Sequence, residues 1–425
     1  MTGTRSVGKP FDIPKTLIWE AYQKVKANKG AAGVDGQSLA EYERDEKDNL
    51  FKLWNRLSSG SYFPPPVRAL EIPKHGGGVR TLGVPTVADR IAQTAVAMVL
   101  SPSAERVFCE DSYGYRPGRS ALDAVETCKQ RCWRQPWVID LDIQGFFDNV
   151  PHGPIVAAVE HHTDLPWVVL YVKRWLVAPL QHADGTLSAR EKGTPQGSAI
   201  SPLLSNLFMH YAFDSWLERE QPSVRFERYC DDAIVHCASE RQAEFIRGVI
   251  ARRLAVFGLT LHPDKTRIVY CKQEGRDLDY PVTEFTFLGF TFRRRPARLR
   301  DGRLKCGFLP AVSKQAKKSM AERIRNWQLG RWTSLSFKQI AAMINPVVAG
   351  WISYYGHFYK SELIRFLEHQ INPFLVKWVV RKYKRYRRAK GRARRKLAEI
   401  ASVYPGTFAH WKHGALPTGS TVGAV

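Results

Sequence analysis

The sequence contains no uncharged apolar run that approaches the roughly 18 to 20 residues needed to cross a membrane. Its N-terminal segment, MTGTRSVGKPFDIPK, also lacks the apolar stretch of a secretory signal. The seven cysteines are scattered without a C-x-x-C pair, which argues against a zinc ribbon, and their odd number argues against a disulfide framework. These absences predict a soluble cytoplasmic protein with reduced cysteines and no membrane partner.

Acidic residues are few relative to basic ones. The chain has 40 Asp and Glu against 64 Lys and Arg, which gives a formal net charge of +24 over 425 residues. Because each cation that neutralises a phosphate releases a counterion, this excess favours nucleic acid as a partner. At about 150 residues per domain, the length predicts two or three packed domains.

The spacing of apolar residues predicts helices mixed with antiparallel hairpins over about residues 65 to 295. Regular βαβ repeats are missing, so this region is predicted to be an α+β domain. Helices are predicted before it, in residues 14 to 60, and within it in SAISPLLSNLFMHYAFDSWLERE. The stretch EFTFLGFTF alternates with period two, as a strand does.

Beyond Arg293 the chain becomes more basic. The segment RRRPARLRDGRLK is predicted to be a connector, with helices after it to about residue 375. Asn345 and Pro346 are typical of a helix N-terminus. An apolar stripe at helical spacing follows them and predicts a face packed in a helical bundle: Val347, Gly350, Trp351, Tyr354 and Phe358.

Two adjacent aspartates stand between short apolar runs in FERYCDDAIVHC, residues 226–237. Asp231 and Asp232 lack the glycine that a two-residue hairpin turn usually contains. Asp142 ends another apolar run, WVIDLD, where a strand would deliver a side chain to a sheet edge. If the hairpin and this strand pack together, three carboxylates converge, and two Mg²⁺ ions between them could drive an in-line displacement.

Simpler alternatives stay open for each aspartate. An Asp-Asp pair alone is more often an exposed turn, and Asp142 or Asp148 could cap a turn or a helix. Asp140 could take the metal-binding role if the register of the strand differed. The occurrence of all three carboxylates in these contexts favours the metal site.

Together with other motifs in a fixed order, this hairpin resembles the palm of a reverse transcriptase, most closely the kind encoded by bacterial group II introns. The resemblance runs from about residue 28 to 360 and ends in INPVVAGWISYYGHF, which resembles the maturase-specific thumb. It implies an α+β right-hand polymerase, with fingers and a palm built on an antiparallel sheet, followed by an α-helical thumb and maturase domain. The motifs are GAAGVDG, EIPKHGGGVRTLGVPTVADRIAQ, SYGYRPGRSALDAV, DIQGFFDNV, GTPQGSAISPLLSNLF, YCDD, GLTLHPDKTRIV and FTFLGFTF.

The resemblance also implies a domain order. The N-terminal extension would occupy residues 1–65, and the fingers and palm residues 66–295. The helical thumb and maturase-specific domain would occupy residues 296–375, and a basic C-terminal tail residues 376–425. The family's endonuclease domain, with its paired cysteines, is expected to be missing, because no cysteine follows Cys306.

Catalytic and metal-binding roles follow from the same resemblance. Asp142, Asp231 and Asp232 would be the catalytic residues. Asp142, Ile143 and Asp231 would hold two Mg²⁺ ions, with Mn²⁺ as an alternative. Cys230 stands where most relatives have alanine and is expected to be a small buried residue without a catalytic role.

Five residues would bind the incoming nucleotide. Arginine and lysine suit its triphosphate, and an aromatic ring under the sugar would exclude a 2′-hydroxyl, with Phe147 as the alternative for that ring. Ser198 stands where the family usually has a second glycine, which predicts a modest change in the pocket or in fidelity. The five residues are Lys74, Arg80, Phe146, Gln196 and Lys265.

Contacts with the nucleic acid strands would come from three places. Leu288 and Gly289 lie in the segment that resembles the primer grip, and Arg116 and Arg119 are template contacts or ordinary surface charges. The run from 377 to 396 contains no acidic residue and is the stronger RNA-binding candidate, either as a helix or as a segment ordered on binding. Within this run, the predicted RNA contacts are Lys377, Arg381, Lys384 and Arg385.

The implied function is RNA-directed DNA synthesis on intron RNA, with maturase activity that assists splicing and mobility. Its partners would be intron RNA, an RNA template with a DNA primer, dNTPs and target DNA, in action at the bacterial nucleoid. A second copy of the chain, as in a homodimer, is a further candidate partner. Two alternatives remain: an RNA-binding splicing cofactor without catalysis, and a domesticated reverse transcriptase serving defence, repair or a CRISPR array.

Overall fold

The structure, a computed structural model, describes residues 9–73, 78–298 and 301–418. The chain divides into two compact units, each built from two stretches of sequence. Unit 1 comprises residues 1–120 and 139–267, and unit 2 comprises residues 121–138 and 268–425. Within the described ranges, no helix combines the length and the apolar character needed to span a membrane.

Helices make up most of the regular structure, and one of them contains a π-helical turn at His210–Asp214. Short 3₁₀ turns lie at Leu329–Arg331 and Lys384–Tyr386. The α-helices are α1 (Lys15–Asn28), α2 (Leu39–Arg44), α3 (Glu46–Ser58), α4 (Val87–Glu105), α5 (Ala121–Arg134), α6 (Phe146–Asn149), α7 (His152–His162), α8 (Pro166–Val177), α9 (Ser201–Met209), α10 (Ser215–Glu220), α11 (Glu240–Ala255), α12 (Lys314–Asn326), α13 (Phe337–Tyr355), α14 (Lys360–Lys382), α15 (Lys390–Val403) and α16 (Ala409–Lys412).

The strands form three sheets, with orders β2-β1-β4-β5, β6-β7-β3-β8 and β11-β10-β9. Among the strand pairs with a defined register, β1 and β4 are parallel and the others are antiparallel. The strands are β1 (Val67–Pro73), β2 (Val79–Val84), β3 (Trp137–Leu141), β4 (Leu180–Gln181), β5 (Leu187–Ser188), β6 (Arg225–Tyr229), β7 (Asp232–Cys237), β8 (Arg267–Tyr270), β9 (Phe285–Phe287), β10 (Phe290–Arg298) and β11 (Leu304–Val312).

The first helices of unit 1 confirm the prediction for residues 14–60. The helix α1 ends at Asn28, where the glycine-rich break begins. A capping box between Ser38 and Glu41 starts α2, because each side chain bonds to the other residue's backbone N–H. Downstream, the Thr86 hydroxyl caps α4 by accepting a hydrogen bond from the Asp89 N–H.

The long helix predicted after residue 198 is present, but it is not regular throughout. The helix α9 leads into the π-helical turn, and α10 continues to Glu220. A π turn inserts one extra residue into the helical repeat, so it changes the direction of the side chains that follow it. Its last residue, Asp214, is fully buried.

The stretch EFTFLGFTF is two strands rather than one. Phe287 pairs with Phe290, so Leu288 and Gly289 form the two-residue turn between β9 and β10. Both have positive φ, 50° and 81°, as a type I′ hairpin turn requires.

The prediction that RRRPARLRDGRLK is a connector is wrong. The strand β10 continues to Arg298 and pairs with β11 from Phe290 opposite Val312 to Arg298 opposite Leu304. Pro296 is tolerated because β9 pairs with β10 only as far as Phe292, so the missing N–H interrupts no ladder on that side. The domain boundary expected at 295/296 therefore falls inside a strand.

The prediction that a helix begins at Asn345 is also wrong. The helix α13 begins at Phe337 behind a capping box of Ser336 and Gln339, and Pro346 lies inside it. The Asn345 side chain instead donates to Thr407 O at 3.0 Å and accepts from the Ala409 N–H at 2.8 Å. The buried stripe of α13 is accordingly shifted from the predicted one, to Ile340, Ala341, Ile344, Val348 and Ile352.

The helices of unit 2 pack around their own apolar core, which includes the fully buried side chain of Trp378. The basic run from 377 to 396 comprises the end of α14, a short 3₁₀ turn and the start of α15. Residues after it are not an isolated tail, because Phe408, Trp411 and Ala415 are also buried. The core therefore extends through the region expected to be a C-terminal tail.

Candidate active site

The aspartate hairpin in unit 1 consists of β6 and β7. Tyr229 pairs with Asp232, so the two central turn residues are Cys230 and Asp231 rather than the two aspartates. Cys230 has φ 62°, and glycine is usual at such a position because it has no Cβ. Gly114 packs against this turn, and a Cβ there would lie 2.6 Å from the Cys230 nitrogen. Cys230 is buried, as predicted, whereas Asp231 is half-buried and Asp232 is exposed.

Arg228 fixes the turn from behind, and its side chain is fully buried. Its guanidinium donates to Asp214 through two nitrogens, at 2.6 and 2.5 Å, and to the Cys230 carbonyl at 2.8 Å. Two further bonds reach Asn206 Oδ1 at 2.9 Å and Ser112 Oγ at 2.8 Å. A bidentate guanidinium–carboxylate pair with its other donors satisfied fixes geometry strongly, so Arg228 determines where the turn lies.

Sequence reasoning missed Arg228 and its partner Asp214. Asp214 reaches Arg228 because it ends the π-helical turn between α9 and α10, and a regular 3.6-residue spacing does not predict that turn. A signal was present in FERY, where two charged residues, Glu227 and Arg228, stand between Phe226 and Tyr229 in a predicted strand. Charged residues in such a strand require buried partners.

Asp142 lies one residue beyond β3, against the turn that contains HPDKT. Its carbonyl accepts from the His262 N–H at 2.8 Å and from the Thr266 hydroxyl at 3.2 Å. Its carboxylate oxygen Oδ2 lies 3.2 Å from Lys265 Nζ. Ile143 forms a β-bridge to Leu261, so backbone pairing holds Asp142 and Ile143, two of the three residues expected to bind metal.

Asp142, Ile143, Asp231 and Asp232 line one cavity of about 600 Å³, together with Asp148. The predicted convergence of the three carboxylates, the candidate catalytic residues, therefore occurs in this structure. Asp142 is a third exposed at its side chain, so solvent reaches the cavity.

Burial and neighbouring like charges raise the pKa values of Asp231 and Asp232. Burial, with the charges of Asp231, Asp140 and Asp142, raises the pKa of Asp232 to about 7. Burial also raises the pKa of Asp231, with a smaller contribution from Asp142. Because solvent reaches Asp232, the like charges weigh more in its shift than the packing around it does. A cation placed among them would lower all of these pKa values.

Asp140 was an alternative metal ligand. Its carboxylate lies 3.5 Å from Arg267 Nη2, and burial raises its pKa to about 6 despite that cation. Asp140 does not line the cavity that holds Asp142, Asp231 and Asp232. This register favours Asp142 over Asp140 as the ligand.

Four of the five residues expected to bind nucleotide line the same cavity: Arg80, Phe146, Gln196 and Lys265. Lys74 lies outside the described residues. Arg80 Nε donates to Gln196 Oε1, which joins β2 to the loop carrying Gln196. Phe146 is almost fully buried and packs on Phe208, with ring centroids 6.0 Å apart, whereas its neighbour Phe147 is half-buried. Both rings line the cavity, so both stay candidates for the aromatic under the sugar.

The two predicted template contacts, Arg116 and Arg119, differ in their exposure to solvent. Arg116 is buried, forms an ion pair with Glu105 at 3.0 Å, and donates to the carbonyls of Cys109 and Ser112. These bonds occupy its guanidinium, so a structural role fits Arg116 better than a template contact. Arg119 is exposed, 5.8 Å from the ring centroid of Tyr113, and keeps its predicted role as a candidate.

Within unit 2, the residues expected to grip the primer form the β9–β10 turn. The Leu288 carbonyl accepts from the Tyr354 hydroxyl at 2.8 Å, and the Gly289 carbonyl accepts from the Ser313 N–H at 3.0 Å. A Cβ on Gly289 would lie 3.1 Å from the Tyr355 hydroxyl oxygen, which favours glycine there. The turn is thus tied to α13, and its role as a primer grip stays a prediction.

The predicted RNA contacts of the basic run lie on the surface of unit 2. Lys377 and Arg381 are exposed on α14, and Lys384 and Arg385 are exposed in the 3₁₀ turn that follows. Two of them lie over neighbouring aromatic rings: Lys377 Nζ is 5.1 Å from the Phe374 ring centroid, and the Arg385 guanidinium is 4.9 Å from that of Tyr386. The four cations are therefore available to a polyanion.

The donor set of the cavity fits hard divalent cations. Carboxylates and a backbone carbonyl supply only oxygen ligands, which Mg²⁺ and Mn²⁺ prefer. The raised pKa values of Asp231 and Asp232 indicate negative charge that a bound cation would neutralise.

Comparison with known families agrees with this geometry. Residues 72–292 match the family of reverse transcriptases, that is RNA-dependent DNA polymerases, and residues 317–397 match the maturase-specific domain of group II introns. The reverse transcriptase match covers more than half of the chain and includes every residue found at the cavity. The chain therefore belongs to the reverse transcriptase family. It is an RNA-directed DNA polymerase of the group II intron maturase type, a class that depends on divalent metal ions.

Individual relatives support the same assignment. The chain is 31% identical to protein YkfC of Escherichia coli strain K12 over 330 residues, which cover 67% of this chain and 82% of that protein. It is 32% identical to the group II intron-encoded protein LtrA of Lactococcus lactis over 198 residues, 46% of this chain but only 32% of LtrA. A putative COX1/OXI3 intron 1 protein of Saccharomyces cerevisiae is 23% identical over 80% of this chain and 48% of its own length.

Proposed function

We propose that the chain copies intron RNA into cDNA at the carboxylate cavity, and that its maturase-specific region binds intron RNA and promotes splicing and mobility. The observation that carries the proposal is the shared cavity of Asp142, Asp231 and Asp232. An RNA template with a DNA primer, dNTPs and target DNA would be its further partners.

Asp142, Asp231 and the Ile143 carbonyl would hold two Mg²⁺ ions, or Mn²⁺ in their place, with Asp232 completing the acidic pair. Such ions, when bound, activate the attacking primer hydroxyl and stabilise the leaving oxygen of an in-line displacement. Asp231 is well suited to hold a ligand position because the turn that carries it is fixed by Arg228. Asp142 is fixed by the backbone pairing of its own carbonyl.

Arg80 and Lys265, which both line the cavity, would bind the nucleotide triphosphate. The planar fork of Arg80 suits phosphate oxygens, and Lys265 Nζ is a mobile point charge on a side chain that is 60% exposed. Lys265 Nζ could also donate a proton to the departing pyrophosphate oxygen. Phe146 or Phe147 would pack against the sugar and exclude a 2′-hydroxyl, and Gln196 would form part of the pocket wall.

The decisive experiment is primer extension on an RNA template with Mg²⁺ and dNTPs. The wild type is expected to extend the primer, and the Asp231→Asn plus Asp232→Asn variant is expected to lose extension, because the ligand charge is gone while the fold is kept. Asp164→Asn, at an exposed carboxylate of unit 1, is the control and should extend normally. A wild type that binds RNA tightly without extending a primer would instead favour the noncatalytic splicing cofactor.

The maturase role is tested by the salt dependence of RNA binding. Replacing Lys377, Arg381, Lys384 and Arg385 with Gln should lower the slope of log K against log salt by about 0.7 to 0.9 for each phosphate that the variant no longer neutralises. Affinity for intron RNA would fall, while primer extension on a short template would persist. Lys173→Gln is the control, because that exposed cation already pairs with Glu160 at 2.8 Å. An unchanged slope in the quadruple variant would place RNA binding elsewhere.

A further inference from the structure

The loop of residues 193–199, here called the glutamine loop, carries Gln196 into the cavity and has no helical or strand structure of its own. Backbone bonds hold it on two sides. The Thr194 N–H donates to the Phe147 carbonyl at 2.8 Å, and the Gly83 N–H donates to the Gln196 carbonyl at 2.7 Å. The contact with β2 is close, since a Cβ on Gly197 would lie 2.7 Å from the Gly83 oxygen. Small shifts of this loop would therefore move Gln196.

Gln93, on α4, holds the far end of the glutamine loop. Its side chain is buried, and its carboxamide oxygen accepts two hydrogen bonds from the loop. One comes from the Ser198 hydroxyl at 2.6 Å and the other from the Ala199 N–H at 2.9 Å. Ser198 is itself 4% exposed, so neither bond competes freely with water. Gln93 is thus the third fixed point of the loop, behind the pocket rather than in it.

Asp89, one helical turn before Gln93, sets the orientation of that carboxamide. Gln93 Nε2 donates to Asp89 Oδ2 at 3.0 Å. The other carboxylate oxygen accepts from the Tyr62 hydroxyl at 2.9 Å and from Trp175 Nε1 at 2.6 Å. A carboxylate only accepts and the Ala199 N–H only donates, so the amide can point in one direction. Both ends of the amide are therefore specified, and its oxygen faces the glutamine loop.

We propose that Gln93 is a positioning residue for the nucleotide pocket, which fixes Gln196 through the bonds of its carboxamide oxygen to Ser198 and Ala199. This inference rests on the proposed function, because it takes the cavity to be the nucleotide site. Gln93 lies outside the cavity lining, so it acts on dNTP binding through the loop. The hydroxyl of Ser198 has a defined task in this arrangement, which a glycine at that position could not perform.

The first test is single-nucleotide extension by Ser198→Ala. Loss of this one bond should raise the KM for dNTP by about twofold to tenfold, the range expected for a neutral hydrogen bond, and leave kcat and RNA affinity unchanged. Ser205→Ala is the matched control, since Ser205 is a fully buried serine on α9 whose hydroxyl has no hydrogen-bond partner among the described residues. A bond that only supported the fold would lower the unfolding temperature without separating KM from kcat.

A double-mutant cycle shows whether Ser198 acts through Gln93. Gln93→Met keeps the length of the side chain and removes both of its polar groups. Its effect on KM should overlap with that of Ser198→Ala, so that the double variant shows less than the product of the two, whereas Ser205→Ala should combine multiplicatively. If Gln93→Met fails to fold, Ser198→Ala alone decides the inference.

The outcomes separate this inference from the proposed function. A wild type that extends primers, with Ser198→Ala unchanged in KM, overturns the positioning role and leaves the polymerase intact. Independent effects in the double variant overturn it as well. A wild type that adds no nucleotide contradicts the proposed function itself, together with the inference that depends on it.

Discussion

Behind the β6–β7 hairpin, Arg228 and Asp214 form an ion pair with no solvent exposure, whereas Asp231 and Asp232 in front of the hairpin share a cavity with Asp142. Behind the hairpin, each charge has a partner and the remaining donors of Arg228 are satisfied. In front of it, burial and neighbouring like charges raise the pKa of Asp232, and the neighbouring cation Lys265 is mostly exposed. The turn thus lies between a buried ion pair that stabilises the fold and a group of carboxylates that can bind a ligand.

The back of the hairpin should carry the largest stability effect. Arg228→Met leaves Asp214 buried without its cation, and we expect the free energy of unfolding to fall by about 3–5 kcal/mol. Urea unfolding measures this loss. Glu160→Gln, which breaks the exposed pair with Lys173, is the control and should cost about 1 kcal/mol or less. Equal losses of unfolding free energy in the two variants would show that the buried pair stabilises the protein no more than the exposed pair does.

Asp89 offers a second buried acid, surrounded by neutral donors instead of a paired cation. Burial raises its pKa to about 6, against the lowering effect of the bonds from Trp175, Tyr62 and Gln93. The folded state therefore keeps the Asp89 proton where the unfolded state has lost it. This contribution to stability is present below pH 4 and is lost as the pH rises to about 6, a change of about 3 kcal/mol.

Asp89→Asn should remove that part of the pH dependence. Unfolding free energies of wild type and variant, measured between pH 4 and 7, would then differ in slope. Asp164→Asn, at the exposed position already used as a control, should follow the wild type. Parallel curves for wild type and Asp89→Asn would contradict the shifted pKa.

The front of the hairpin should couple Mg²⁺ to protons. Because the pKa of Asp232 is raised to about 7, the acidic group holds a proton at lower pH that bound Mg²⁺ must displace. Apparent Mg²⁺ affinity should therefore rise with pH up to about 7, on the order of tenfold per unit for one proton, and level off above it. Calorimetry at pH 6, 7 and 8, in buffers of different ionisation enthalpy, measures the proton release. Asp232→Asn should flatten the dependence, and equal pH profiles would contradict the coupling.

Much of the front of the hairpin was predictable from sequence. Two short apolar runs around CDD predicted the hairpin, and WVIDLD predicted the strand that delivers Asp142. The turn register was not predictable, because glycine usually marks it and Cys230 adopts positive φ here. That register depends on the Gly114 backbone and on Arg228, whose own partner Asp214 comes from a different element.

The back of the hairpin and unit 2 were harder to predict. Arg228 and Gln93 act through partners that only the fold brings near them, such as Asp214 and Ser198. The β10–β11 hairpin was missed because its arginines suggested a connector, although Asp301 and Gly302 form a dipeptide typical of a turn, and Gly302 has φ 86°. Asn345 and Pro346 led to a wrong prediction of the start of α13. Residues typical of a helix N-terminus can also lie inside a longer helix, and the capping box of this helix lies upstream.

The π-helical turn at His210–Asp214 fixes the exact length of the segment it belongs to. A regular helix turns by about 100° per residue, so deleting one residue there would let α9 and α10 join smoothly and would swing Asp214 away from Arg228. The helix would then be more regular, but it would no longer support the β6–β7 turn through Asp214 and Arg228. Natural variants of this polymerase should therefore differ in the amino acids of this segment but keep its number of residues.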